Sequence, residues 1–220
     1  MSDRAQREAL FEWVYENNQW GRSPVGARYY SDSPSAATAP YRAYLESFLA
    51  EHPEIETVVD LACGDYQVSR ETVFGNRRYI GADIYYRLIE HNRFLYGDDR
   101  HLFLTLDLVE DEFPDGDLCL VSMALYLMSH ADVLRILKKL KQYRYVLVTD
   151  GQPDLPPSER RNVDRPTGKY TPRDLYGAGF YLELPPFNQK LRVVCENWLS
   201  SGEILRTVLM VNDTLRADCG

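Results

Sequence analysis

Apolar residues recur along the chain first at helical and then at strand spacing. From Asp3 to Asn18 the positions Leu10, Phe11 and Val14, with Trp13 and Tyr15 beside them, predict an amphipathic helix. Asn17 to Pro34 carries Gly21, Pro24, Gly26, Ser31, Ser33 and Pro34, a loop longer than a connector needs, and loops of that kind in compact domains are commonly lids. A second helix is expected over Ser35 to Glu51. Ser33 or Ser35 would cap it, Tyr41, Tyr44, Leu45, Phe48 and Leu49 form its buried stripe, and Pro53 stops it.

Beyond this point strand, turn and helix alternate. Thr57–Leu61, Tyr79–Ile84, Leu102–Leu106, Leu118–Val121 and Tyr145–Thr149 are short apolar, β-branched runs, with helical stretches at Tyr86–Tyr96 and Ala131–Gln142. Runs apolar at nearly every position describe strands buried on both faces, hence a mostly parallel sheet with helices on both sides. The pattern changes at the end. Leu191–Trp198 and Glu203–Asn212 flank Leu199-Ser200-Ser201-Gly202, which leaves room only for an antiparallel hairpin. The fold class is therefore α/β: a Rossmann-like, mostly parallel seven-stranded sheet closed by a C-terminal antiparallel hairpin. It is one structural domain, with residues 1–54 forming N-terminal helices and lid loop and 55–220 the core.

In such sheets ligands bind at the carboxyl ends of the strands. Four such ends carry polar residues: Asp60-Leu61-Ala62-Cys63-Gly64-Asp65, Asp83-Ile84, Asp107-Leu108 and Val121-Ser122. A small-residue turn lets backbone approach a ligand, and a helix after it would offer free N–H donors. A carboxylate 23 residues further on, Asp83, suits the two hydroxyls of a ribose. An Asp at a strand end is also a common helix cap, so each position alone is ambiguous and the set of four carries the argument.

The run Val58-Val59-Asp60-Leu61-Ala62-Cys63-Gly64-Asp65 resembles the first motif of class I S-adenosylmethionine-dependent methyltransferases. Ile80-Gly81-Ala82-Asp83-Ile84 resembles the second, Leu106-Asp107-Leu108 the third and Asp117–Val121 the fourth. Phe11-Glu12-Trp13-Val14-Tyr15, Asn18, Trp20-Gly21, Tyr41-Arg42, Asn162, Asp164, Gly168, Pro172, Asp174-Leu175 and Pro186-Phe187 extend the likeness to a bacterial subgroup. The resemblance implies S-adenosylmethionine as cofactor. Ala62, Cys63, Gly64 and Asp65 would meet its methionine part, with Asp60 orienting it. Asp83 would hold the ribose, Ile84 the adenine face, Asp107 the adenine amine, Leu108 the ring, and Ser122 would lie under the amino acid moiety. Two departures stand out. Tyr66 follows Asp65 where many members have a second glycine, so a tighter-packed turn is expected. The subgroup's Arg-Asp-x-Leu-x-His-Leu run is here Ser122-Met123-Ala124-Leu125-Tyr126-Leu127-Met128, so no histidine base carries over.

A sulfonium methyl is already electrophilic, so a base is required only for a nucleophile protonated at neutral pH. Asp150 after the fifth strand is the leading acid–base candidate, with Tyr126 and His130 beside it. His130 at a helix start also reads as a cap-region residue, His52 as a solvated helix end, and His91 and His101 lack sequence neighbours that suggest a role. Trp20, Arg28 and Tyr29 in the first loop, and Arg165 in the proline- and charge-rich stretch Gln152–Lys169, are substrate-side candidates. Sixteen tyrosines suit sugars or peptides, and suit a plain core almost as well.

Composition narrows the rest. The 220 residues carry a net charge of −8, which opposes phosphate-driven nucleic-acid binding. No apolar run approaches a membrane span and MSDRAQREAL lacks a signal core. Cys63, Cys119, Cys195 and Cys219 form no metal or disulfide pattern, so a reducing cytoplasm is the expected compartment and no metal is expected. The expected activity is methyl transfer to a small-molecule, glycan or peptide acceptor, on oxygen by preference and on a carboxylate if no base is used. A homodimer is left open. The rivals are a scaffold that kept the fold without the chemistry and a nicotinamide oxidoreductase, which needs a G-x-G-x-x-G turn absent here.

Overall fold

The computed structural model describes residues 3–31, 35–169, 178–199 and 202–212. Ser33, Pro34, Pro172, Asp174, Leu175, Ser200, Ser201 and Cys219, used in the sequence argument, lie outside this set; of the two expected caps of the second helix, Ser33 is therefore outside it and Ser35 is the first helical residue. Helix α1 spans Asp3–Glu16 and α2 spans Ser35–Glu51. Strand β1 is Thr57–Leu61, β2 Arg78–Asp83, β3 His101–Thr105 and β4 Leu118–Ser122. Helices α3, Tyr86–Tyr96, and α4, His130–Leu140, follow β2 and β4. Strands β5, Tyr145–Pro153, β6, Arg192–Trp198, and β7, Glu203–Val211, complete one sheet in the order β3-β2-β1-β4-β5-β7-β6. The first five strands pair in parallel, and β7 runs antiparallel to β5 and β6.

Strand alternation divides the core in two. Val59, Leu61, Cys119, Val121, Val146, Val148, Val208 and Met210 face a cluster with Phe11 of α1 and Val133, Ile136, Leu137 and Leu140 of α4. Val58, Leu118, Leu120, Leu147 and Leu209 face a second, with Tyr41, Leu45, Phe48 and Leu49 of α2 and Ile89 of α3. Among the described residues no helix is long and apolar enough to cross a membrane.

Two details correct the sequence expectation and a third adds to it. The turn after β1 does not lead into an α-helix: the link to β2 holds only a 3-10 turn at Ser69–Glu71. The α2 residues already cover that face against Val58, Leu118 and Leu147, so the crossover needs no helix of its own. Strand β5 runs four residues beyond Thr149, because β7 pairs with it as far as Pro153↔Glu203. Strand β6 contains a bulge between Val193 and Cys195.

The hairpin turn matches its residues. Leu199 N–H donates to the Glu203 carbonyl at 2.8 Å, and Gly202 sits at φ +83°, a conformation open to glycine at no steric cost.

Candidate functional site

Strand order reverses between β1 and β4, which neighbour one another while β2 and β5 lie outside them. Their carboxyl ends mark the topological switch point, the position for ligands in this architecture. The β1 turn is strongly bent there, with positive φ at Ala62 (58°), Gly64 (55°) and Tyr66 (62°). Asp83 at the tip of β2 holds the turn: Gly64 N–H donates to its Oδ2 at 3.2 Å, and Tyr85 N–H to its Oδ1 at 3.1 Å. Asn92 of α3 donates to the Gly64 carbonyl at 2.8 Å. Burial, countered by those amides and reinforced by Asp65, pushes the Asp83 carboxyl up to about 6.

Asp60 lies beneath the turn and points to the α2 side. Ser69 Oγ and Tyr79 Oη donate to its Oδ2 at 2.5 and 2.7 Å. Burial outweighs both hydroxyls and pushes it to about 6 as well. Asp65 clasps the first loop: Ser31 Oγ donates to its Oδ1 at 2.7 Å and Ser31 N–H to its Oδ2 at 3.2 Å. Cys63 is half-buried, and burial followed by its acidic neighbours raises its thiol well above the ordinary value.

The wall opposite is aromatic. Tyr15 of α1 stacks on Tyr85 with ring centroids 5.8 Å apart and meets Trp20 and Tyr29 edge-on at 5.1 and 6.0 Å. Its hydroxyl is 3.2 Å from where a Cβ on Gly64 would stand. Of the substrate-side candidates, Trp20 and buried Tyr29 belong to this wall, and exposed Arg28 lies over the Tyr29 ring at 5.1 Å. His91 also belongs here, edge-on to Tyr29 at 5.3 Å, a partner its sequence neighbours do not reveal. Arg165 stands in the 160–169 segment. That segment is tied to the start of α4 through Asp164, which accepts from His130 N–H at 2.8 Å, and through Thr167, which donates to Asp132 at 2.8 Å. Lys169 Nζ donates to Gln19 at 3.3 Å and joins the two loops.

A ribose fits Asp83. Each of its oxygens accepts one amide, and a carboxylate has about four acceptor positions, so two hydroxyls can be added. Partly buried Ile84 lies beside it. Asp107 is different. Arg7 of α1 donates Nη2 to its Oδ2 at 2.7 Å and Nε to both oxygens at 3.2 Å, Val109 N–H adds a bond at 2.9 Å, and the Asp107 side chain is 0% exposed. The Asp107 oxygens, inferred to accept from the adenine amine, accept from Arg7 in this arrangement. Leu108 is buried in the core beside it. Sequence reasoning missed Arg7, although Arg7, Phe11 and Val14 share one helical stripe and a charge on such a stripe signals a buried partner.

Ser122 ends β4, where Met123 turns at φ +55° and its N–H donates to the Thr149 carbonyl at 2.7 Å. Beyond lies a 3-10 turn, Leu125–Leu127, that buries Tyr126. His130 has its ring edge-on to Phe187 at 5.0 Å. Asp150 is 2% exposed on β5, with the backbone amides of Ala124 and Tyr126 facing its carboxyl. Burial pushes its carboxyl well above the usual carboxylate range, with only the amides of Ala124 and Tyr126 opposing.

No protein-family model and no curated protein matches the chain. Solved structures do. The mitomycin 7-O-methyltransferase MmcR aligns over 82% of this chain and 55% of its own, at 17% identity and a TM-score of 0.56. The N-methyltransferase NodS from Bradyrhizobium japonicum, in complex with S-adenosyl-L-homocysteine, aligns over 79% of this chain and 87% of its own, at 12% identity and a TM-score of 0.54. The CurJ carbon methyltransferase gives 77% and 54%, at 10% identity and a TM-score of 0.51. This chain thus spans little more than half the length of MmcR and CurJ. Three acceptor atoms on one architecture mean that the likeness carries no acceptor with it. What these alignments establish is the architecture: the chain has the fold of the class I S-adenosylmethionine-dependent methyltransferases.

Proposed function

We propose that this protein binds S-adenosylmethionine and transfers its methyl group to a small or mid-sized acceptor. The observation that carries the reading is Asp83: a buried carboxylate at the tip of β2, beside the switch point, with acceptor capacity left after fixing the Gly64 turn. When bound, the cofactor supplies a methyl already activated as a sulfonium. The chain's own residues hold, orient and exclude water. Asp83 accepts from the ribose hydroxyls, Ile84 lies against the adenine, and the Ala62–Asp65 turn and Ser122 border the amino acid end. Tyr15, Trp20 and Tyr29 form the wall on the acceptor side.

The acceptor atom is an oxygen, by preference a carboxylate. Residues 122–128 at the end of β4 include no histidine, and a pre-ionised nucleophile needs no base. Tyr126, His130 and Asp150 stand around that end of the sheet as the groups able to move a proton if the acceptor is a hydroxyl.

One observation favours a second reading, a cofactor-binding protein without transferase chemistry: Asp107 is engaged by Arg7 instead of standing open at the tip of β3. Calorimetry with S-adenosylhomocysteine, followed by transfer of a radiolabelled methyl to a panel of acids, sugars and peptides, separates the two. Binding with turnover supports the enzyme, binding without turnover on any acceptor supports the second reading, and no binding removes both.

A further inference from the structure

Arg4, Arg7, Arg42 and Arg206 each meet a carboxylate within 3.0 Å, and Arg28 and Arg87 share Glu16 at 4.0 and 3.9 Å. Lys169 does not follow this pattern. It is half-buried, its Nζ donates to the Gln19 side-chain oxygen at 3.3 Å, and that neutral amide is its one partner among the described residues. An ammonium has three N–H donors, so two are left over.

The chain on either side fixes where this cation stands. Gly168 N–H donates to the Leu127 carbonyl at 2.8 Å, and Thr167 Oγ1 accepts from Ser129 N–H at 3.0 Å, so Lys169 is pinned to the segment that leaves the tip of β4. Gln19 is fixed to α1 through its N–H on the Val14 carbonyl at 2.9 Å. Its neighbour Trp20 meets Tyr15, whose hydroxyl lies against the Gly64 turn. Lys169 thus bridges the β4 exit and the aromatic wall beside the β1 turn. The carboxylates of the same segments are engaged: Glu16 by the Tyr85 hydroxyl, Asp164 by the His130 and Arg165 amides, and Asp132 by Thr167. An amine would bring a like charge to Lys169, and a neutral amide is what Gln19 already supplies. A carboxylate brings both the opposite charge and acceptors for the remaining donors, and charge-assisted bonds of this kind are roughly twice as strong as neutral ones.

We propose that Lys169 is the anchor for a carboxylate on the acceptor, held where the first loop and the 160–169 segment meet. As an acceptor anchor it rests on the methyl-transfer reading, and it selects organic acids from the small-molecule, glycan and peptide classes. Lys169 binds and orients; it moves no proton.

The test is calorimetry of the full chain with benzoate, benzamide and benzylamine, with and without S-adenosylhomocysteine. Benzoate is expected to bind at least fivefold more tightly than the other two. That preference should disappear in Lys169→Met and persist in Lys169→Arg, which keeps the charge. It should also persist in Gln19→Ala, which removes the bridge between the loops and leaves the ammonium. Equal binding of benzoate and benzamide overturns the proposal, and so does a benzoate preference that survives in Lys169→Met. A preference lost equally in Gln19→Ala and Lys169→Met would assign Lys169 the role of joining the loops and also overturns it. Failure of the unaltered chain to bind S-adenosylhomocysteine would instead remove the methyl-transfer reading, while the comparison of benzoate with benzamide in its absence still decides whether Lys169 holds a carboxylate.

Discussion

Arg7 and Asp107 form a bidentate ion pair between α1 and the tip of β3, with side chains 6% and 0% exposed. The pair fastens a helix that precedes the sheet to the carboxyl end of β3. Breaking one half of a buried pair leaves a desolvated charge, which costs roughly 3–5 kcal/mol. Arg7→Ala is expected to lower chemical-denaturation stability by that amount. The double variant Arg7→Met, Asp107→Leu should recover most of it. Additive losses in the double variant would contradict the pairing.

Asp83→Ala leaves the Gly64 and Tyr85 amides without their acceptor and removes the proposed ribose contact. Hydrogen bonds to a charged group contribute roughly 1.5–3 kcal/mol, or about ten- to a hundredfold in affinity. S-adenosylhomocysteine affinity measured by calorimetry should fall by at least that factor. Undiminished affinity would show that the ribose is held elsewhere.

The Gly64 backbone at φ +55° strains any residue with a Cβ, and the Tyr15 hydroxyl stands 3.2 Å from where that atom would go. Gly64→Ala should cost about 1–2 kcal/mol from the left-handed backbone alone, with a further loss from the contact. Adding Tyr15→Phe removes the hydroxyl and should return part of the loss. A double-mutant cycle on thermal stability reads the coupling, and zero coupling would place Tyr15 away from the turn.

Asp60 gives a pH dependence of defined sign. Burial lifts its carboxyl from the usual range to about 6, so the folded state favours the neutral form. Its contribution is complete below about pH 4 and is lost as pH rises through 6, on the order of 1–3 kcal/mol in all. Asp60→Asn keeps an oxygen to accept from Ser69 and Tyr79 while removing the ionisation. Urea unfolding at pH 5 and pH 7.5 should show a smaller decline in stability for the variant than for the parent. An equal decline in both would assign the pH dependence to other groups.

Ser31 Oγ donates to Asp65 and so closes the first loop onto the β1 turn. Ser31→Ala is expected to speed amide exchange and proteolytic cleavage within residues 17–31 without moving the rates of β4 or β5. Cleavage unchanged from the parent would mean that the aromatic contacts alone hold the loop.

The sheet was legible because its strands are apolar on both faces. Thr57–Leu61 is recovered to the residue, and the hairpin follows from four residues that admit no crossover. Hydrophobic period reports burial of a segment and says nothing of what covers it. The missing helix after β1 follows from α2 lying over Val58 and Leu147, which no local pattern in 62–77 announces. Asp60, Asp83 and Asp107 were visible as strand-end acids, but their partners were not. Arg7 lies 100 residues from Asp107 and Ser31 lies 34 from Asp65. Asp150 stood out as a polar residue after an apolar strand, whereas its register partner Arg206 arrives from a later segment.

The bulge between Val193 and Cys195 has a consequence beyond the hairpin. Strand β6 is one open border of the sheet, and it exposes Val193 and Trp198. A long flat border of this kind templates runaway stacking with other chains. The extra residue bends and twists the strand, so its outer amides and carbonyls present no straight ladder for a stranger to join. At the opposite border β3 is only five residues long. The sheet thus protects its flanks from aggregation by shape on one side and brevity on the other.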